Sequence, residues 1–284
     1  PFMGPSPVVI EVLIDLLLNS SDAAMLLQTA LFAWVPILLG LAGLDVGVDL
    51  HKIIRVSVGR DNFHTWGGSD APEENIAYAA ANLFADSARE FAACLEGDDD
   101  IDLVQYAAAT RQYLEILKLF GKFTAVSIGE VESNLKKVER AAGGRFRTMK
   151  ALLRDEVERE IHGANAKLKD ESAAMGLLWV RRGLGFWAEL FELPDAELGR
   201  SLKAAVLKAY EPTVAPFHGW VARRGFLYCA GSAPDWVALS PSLAPSAAAL
   251  HDDLRVWVRV LRLLNDRMRA IHEELGLEDE RKTI

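Results

Sequence analysis

The stretch that decides how this chain is interpreted runs from Glu130 to Lys137 and reads Glu-Val-Glu-Ser-Asn-Leu-Lys-Lys. On an α-helix, positions 130, 134 and 137 lie on one narrow stripe, because residues three and four apart are neighbours. This stripe carries a carboxylate that only accepts hydrogen bonds, an amide that donates and accepts them, and an ammonium with three donors. Such a set suits a ligand rich in hydroxyls, such as a sugar. An ordinary solvated helix face is the alternative, since Glu and Lys are common there.

The composition limits the classes of function that the chain can serve. Hydrophobic residues make up 51% of its 284 residues and charged residues 25%, which suits a protein with a substantial core. The net charge of −9 argues against general nucleic-acid binding, which requires a basic surface. Cys94 and Cys229 form neither a disulfide framework nor a zinc motif and are typical of a reducing compartment such as the cytoplasm.

Residues 1–76 differ in pattern from the rest of the chain and are predicted to form an N-terminal extension. Within it, residues 23–44 are almost entirely apolar and reach the length of a membrane-spanning helix, which would act as an anchor. A buried helical hairpin broken near Pro36 is the alternative. Residues 56–76 have the mixed Gly, Pro and Asp content of a linker.

From residue 77 to the end, apolar residues recur with helical spacing and predict an all-α domain covering residues 77–284. Turn residues separate several of its segments. Glycines at 183 and 185 fall inside one helical segment and indicate close helix packing rather than a phosphate-binding loop. The predicted helices are 77–95, 101–120, 124–141, 146–169, 171–192, 196–211, 218–229 and 246–274.

The sequence motifs of common enzyme classes are absent. It contains no H-E-x-x-H zinc motif, no phosphate-binding G-x-x-x-x-G-K-[ST] and no G-x-S-x-G of serine hydrolases. The six histidines lack the spacing of metal ligands. We therefore expect a protein that is not an enzyme and that needs neither a metal nor a cofactor.

A second candidate binding segment contains Trp179 and Arg182, which are three residues apart and share a helix face. A tryptophan ring can stack on the apolar face of a sugar while polar donors beside it bind the hydroxyls. A core position is the alternative for this tryptophan. The segment therefore predicts that both residues contribute to a headgroup site.

A third candidate segment surrounds His218, where Pro212 and Pro216 restrict the preceding backbone. A neutral imidazole offers one donor and one acceptor, enough to bind an amide, although a satisfied core histidine is the alternative. The residues that follow pair an amphipathic ring with cations, as at a membrane interface. We therefore predict membrane contact for Trp220, Val221 and Arg224.

Taken together, these segments resemble the glycolipid transfer protein family over about residues 85–284. The family pattern has an acidic residue, an Asn four residues on and a Lys three further, then F-R-T, W-[LV]-[KR]-R-G-L and A-Y-E…H-G-W. In this chain those elements are Glu130, Asn134 and Lys137, then residues 146–148, 179–184, 209–211 and 218–220. Several separate segments in the same order make the resemblance specific.

The resemblance implies a two-layer helical sandwich of about eight helices with a hydrophobic tunnel for lipid chains. It implies a non-enzymatic carrier of glycosphingolipids that is cytoplasmic and associates peripherally with membranes. The implied roles are hydrogen bonding of the sugar by Glu130, Asn134 and Lys137, stacking by Trp179, contact with the ceramide amide by His218 and Glu130, membrane contact by Trp220 and Val221, and tunnel lining by Phe226.

Two departures from the family pattern leave alternatives open. Glu130 stands where the family has Asp, which adds one methylene, and the first seventy or so residues have no counterpart in the smallest members. A branch that carries ceramide phosphate has Lys at the position of Asn134 and Arg at those of Met175 and Trp179, so a sugar headgroup is favoured here. Ceramide phosphate transfer, or a membrane-tethered sphingolipid sensor or contact-site protein, are the alternatives.

Overall fold

The computed structural model describes residues 83–95 and 99–282. The predicted extension, with its apolar segment 23–44 and its linker 56–76, lies outside the described residues, as do residues 77–82 of the first predicted helix. Among the residues that are described, no helix combines the length and the apolar content needed to cross a membrane.

The described residues form ten α-helices and no strand, as the sequence predicts for an all-α domain. Eight of these helices have ten residues or more, and two are short. They are α1 (Leu83–Ala93), α2 (Leu103–Lys118), α3 (Ala125–Ala142), α4 (Met149–Glu158), α5 (Ala173–Glu192), α6 (Asp195–Arg200), α7 (Leu202–Thr213), α8 (Trp220–Ala230), α9 (Trp236–Leu239) and α10 (Ala247–Glu274).

Side-chain caps fix where several of these helices begin. Asp102 accepts hydrogen bonds from the second and third amides of α2, and Thr148 accepts one from Ala151 in α4. Ser172 does the same for the amide of Met175 at the start of α5. Each cap satisfies a backbone donor that the helix itself cannot pair.

The core lies inside a closed circuit of helices in which α1 packs on α2, α2 on α3, α3 on α5, α5 on α10 and α10 again on α1. Helix α7 also packs against α5. Trp257 is fully buried, and its indole nitrogen donates to Ser87 Oγ at 3.0 Å. Helix α5 packs against α3, α4, α7 and α10, and it therefore positions most of what surrounds the candidate site.

Two predicted helix boundaries are wrong. The segment 146–169 is helical only to Glu158. The buried Glu156 carboxylate accepts hydrogen bonds from the amides of Ala173 and Ala174, so the chain must turn back between Glu156 and Ala173. The backbone reverses through left-handed residues that include Glu160. The segment 196–211 is divided in two at a serine that caps the second part, α7.

Candidate functional site

The site is organised by a close approach between α3 and α5 at Gly176. A Cβ on this glycine would stand 2.7 Å from the carbonyl oxygen of Asn134 and 3.5 Å from Lys137 Cβ. Only a residue without a side chain permits backbones to come this close. The approach sets Asn134 and Lys137 beside the first turns of α5, one turn before Trp179.

The Trp179 ring is partly buried and lies close to two other groups. Its centroid is 5.8 Å from that of the His218 ring, at an interplanar angle of 34°. The Arg182 guanidinium lies 5.0 Å from the Trp179 centroid and 3.5 Å from that of Phe217. A cation over an aromatic face is attracted by the ring electrons, and this holds the indole in place.

Arg182 is buried, and the C-terminal segment holds its guanidinium. One of its nitrogens donates to the backbone oxygen of Asp279, and the neighbouring Arg181 pairs with Glu278 at 2.5 and 2.7 Å. Burial lowers the pKa of Arg182 to about 10, so it remains cationic at neutral pH. The contacts that the structure gives it are with rings and backbone, and its predicted contact with a headgroup stays a prediction.

His218 follows a short 3₁₀ turn, Ala215–Phe217, and its Nδ1 lies 2.9 Å from the hydroxyl of Tyr210. Burial, with a further contribution from Arg182, lowers the pKa of His218 to about 4, so the imidazole is neutral. Burial also raises the pKa of Tyr210 to about 12, which keeps its proton on the hydroxyl. If that proton is donated to Nδ1, Nε2 carries the imidazole proton and is a hydrogen-bond donor.

Glu130 has an exposed side chain, yet burial among surrounding protein atoms raises the pKa of its carboxyl, and Lys137 opposes the shift. The Glu130 charge also raises the pKa of Cys229 on α8, after the larger effect of burial, so Glu130 faces α8. The charged group that shifts the pKa of His218 is Arg182 and not Glu130. Joint binding of the ceramide amide by Glu130 and His218 therefore stays a prediction.

Phe226 links the polar residues to the apolar interior. Its ring stacks on Tyr210 with centroids 3.8 Å apart, and it makes edge contacts with Phe186 at 5.7 Å and Phe123 at 6.4 Å. Both of these rings also contact Trp187. A continuous path of aromatic side chains therefore leads from His218 into the core.

Helix α8 presents an exposed aromatic face beside the site. Trp220 is 69% exposed and Tyr228 is 66% exposed, and the Arg224 guanidinium lies 5.6 Å from the Trp220 ring. Leu227 is also exposed. These side chains lie on one stripe because they are four, seven and eight residues from Trp220. Val221, which borders the stripe, is partly buried.

Comparison with known proteins identifies the family. The family model described as glycolipid transfer protein matches residues 101–244, just over half of the chain.

The chain belongs to the glycolipid transfer protein family. It is 26% identical to glycolipid transfer protein 1 of Arabidopsis thaliana over 155 residues, which are 51% of this chain and 74% of the relative. It is 26% identical to pleckstrin homology domain-containing family A member 8 of Danio rerio over 201 residues, 66% of this chain, but spans only 35% of that longer relative. The family consists of lipid transfer proteins and not of enzymes.

Solved structures share the fold. The human ceramide-1-phosphate transfer protein in complex with 12:0 ceramide-1-phosphate aligns with a TM-score of 0.60 at 19% identity, over 68% of this chain and 97% of that one. A structure of FAPP2, reported to select simple glycosphingolipids with this fold, aligns with a TM-score of 0.55 at 22% identity, over 66% and 92%. The predicted glycolipid transfer protein fold is therefore confirmed.

Three contributors to the site escaped the sequence prediction. The tight contact between helices is at Gly176. Of the two glycines where close packing was predicted, a Cβ on Gly183 would meet nothing within 4 Å, and one on Gly185 would make an ordinary contact of 3.5 Å with Asn265 Oδ1. Tyr210 lies within the A-Y-E motif, but nothing in the sequence indicates its bond to His218. Tyr228 could have been found from its spacing of eight residues after Trp220.

Proposed function

We propose that this protein binds a glycosphingolipid and carries it between membranes without chemical change. The observation that carries the proposal is the setting of Trp179. Its partly buried indole lies against His218 and one helical turn beyond the Gly176 contact with Asn134 and Lys137. A flat apolar surface bordered by an amide and an ammonium suits one sugar ring.

Recognition of the sugar would use both kinds of group. The ring would stack on Trp179, whose indole is in contact with the Arg182 guanidinium, which itself lies over the Phe217 ring. The sugar hydroxyls would donate to Glu130, would exchange hydrogen bonds with the Asn134 amide and would accept from the Lys137 ammonium. A site built to bond hydroxyls rejects a ligand that lacks them, because its own polar groups would stay unpaired.

The ceramide amide would bind at His218. The Tyr210 hydroxyl would donate to Nδ1 and so place the imidazole proton on Nε2, which would donate to the amide oxygen. The amide N–H would find its acceptor in the Glu130 carboxylate, which reaches farther than the usual aspartate. The two ends of the amide would then fix the depth at which the lipid binds.

The hydrocarbon chains would leave water along Phe226 and the aromatic path behind it. Each buried CH₂ gains about 0.8 kcal/mol, so an enclosed apolar path removes most of the cost of moving a lipid through water. Release and uptake would occur at a membrane that Trp220, Val221 and Arg224 contact, with Leu227 and Tyr228 extending the same face. The protein would thus act as a peripheral membrane protein of the cytoplasm.

Transfer between vesicles tests this proposal. Donor vesicles of phosphatidylcholine carry fluorescent glucosylceramide with a non-exchangeable quencher, and acceptor vesicles carry neither. The protein is expected to restore fluorescence, Trp179→Ala to abolish that activity, and Trp179→Phe, which retains a ring, to keep part of it. Transfer of ceramide phosphate without glucosylceramide would contradict the proposal.

A further inference from the structure

The charges around Lys137 indicate which headgroups the site would reject. Burial lowers the pKa of this lysine, and the carboxylates that oppose the shift most strongly are Glu171 and Asp170, ahead of Glu130. Arg140 adds to the lowering. Three carboxylates and one guanidinium therefore act on the ammonium, and with the ammonium itself the group has a net charge of −1.

The backbone explains why these carboxylates stand where they do. Residues 170 and 171 immediately precede Ser172, which caps α5, and the beginning of α5 lies against Lys137 through Gly176. Arg140 follows Lys137 by three residues on the same face of α3, and its Nη1 lies 3.4 Å from a carboxylate oxygen of Glu171. Both acidic side chains are exposed.

We propose that Asp170 and Glu171 form an acidic rim around Lys137 that makes the site select neutral sugar headgroups over anionic ones. This inference rests on the proposed function, because it assigns the headgroup class of the same site. A neutral sugar gains hydrogen bonds from Lys137 and meets no net repulsion. A phosphate or a sulfate must approach a lysine whose charge the rim has already balanced, so its expected attraction is lost.

The test compares lipids that differ in headgroup charge. Wild-type protein and the variant Asp170→Asn/Glu171→Gln are assayed for transfer of glucosylceramide, ceramide phosphate and sulfated galactosylceramide from phosphatidylcholine vesicles. Each neutralised surface carboxylate is worth up to a few-fold, so the rate for each anionic lipid relative to glucosylceramide should rise roughly 3- to 20-fold. The rise should shrink at high salt, since exposed charges are screened.

Two further variants separate the rim from general charge effects. Asp252→Asn/Asp253→Asn removes the same charge from α10, where neither residue acts on Lys137, and should leave the ratio unchanged. Arg140→Gln removes the opposing cation and should lower the ratio. An unchanged ratio in the rim variant, or an equal rise in the α10 variant, would overturn the inference while leaving glycolipid transfer intact. Failure of the wild type to move glucosylceramide would instead overturn the proposed function and the inference with it.

Discussion

Replacing Gly176 by Ala is expected to destabilise the domain and to open the headgroup site. The new Cβ would stand 2.7 Å from the Asn134 carbonyl oxygen, whereas an ordinary contact between carbon and oxygen is about 3.3 Å. Helices α3 and α5 must therefore separate by roughly 0.6 Å. Overpacking of this kind costs about 1–3 kcal/mol, and the better helix propensity of alanine returns up to about 1 kcal/mol.

The middle of these ranges is a net loss of about 1–2 kcal/mol, which corresponds to a fall in Tm of roughly 2–8 °C for a domain of about 200 residues. Because Asn134 and Trp179 lie on the two separated helices, glucosylceramide transfer should fall about tenfold, as expected for one lost hydrogen bond. Thermal unfolding followed by circular dichroism and the vesicle assay measure the two effects.

Gly183→Ala is the matched control for this substitution. Gly183 lies in the same helix, and nothing lies within 4 Å of its added Cβ, so the change should stabilise the domain by up to about 1 kcal/mol and leave transfer unaltered. Equal stability and equal transfer for the alanine variants of Gly176 and Gly183 would show that the site does not depend on the close approach of α3 and α5 at Gly176.

Three further outcomes are expected. Tyr210→Phe removes the hydroxyl that bonds His218 Nδ1 at 2.9 Å, and transfer should fall about 3- to 10-fold; unaltered transfer would show that the imidazole needs no such orientation. Because burial lowers the pKa of His218 from 6.5 to about 4, the transfer rate should not change near pH 6.5. The stability that the neutral, buried imidazole contributes should be lost as the pH falls from 6.5 towards 4, since the unfolded chain binds this proton more readily than the folded protein. A change in transfer rate near pH 6.5 that His218→Asn removes would contradict this. Trp220→Ala should slow transfer while the free energy of unfolding stays within about 0.5 kcal/mol of wild type, since the ring is 69% exposed; an equal rate would exclude this face from membrane contact.

The helices that carry the site could be predicted because their signals are local. Apolar spacing and the caps at Thr148 and Ser172 are properties of neighbouring residues, and they place α3, α4 and α5 near their observed starts. The end of α4 could not be predicted, because Glu156 caps another helix and that contact spans 17 residues of sequence. Local pattern does not contain such a constraint.

The contacts within the site were harder to predict than its members. A glycine inside a helix can mark a close contact with another helix or can have no packing role. Gly176 makes such a contact only because α3 lies against it, and the sequence of α5 does not distinguish it from Gly183. The burial that lowers the pKa of His218 likewise depends on elements distant in sequence. From the sequence, Glu130 is the only acidic residue predicted to act on Lys137. The effect of Asp170 and Glu171 could not be predicted, because these residues are distant in sequence and only the fold brings them near Lys137.

A structure of the protein with bound glucosylceramide tests the assignment of this headgroup site most directly. We expect the sugar ring to stack on the Trp179 indole, with its hydroxyls bonded to Glu130, Asn134 and Lys137 and the ceramide amide oxygen on His218 Nε2. A headgroup bound elsewhere, with Trp179 in contact only with protein, would contradict it.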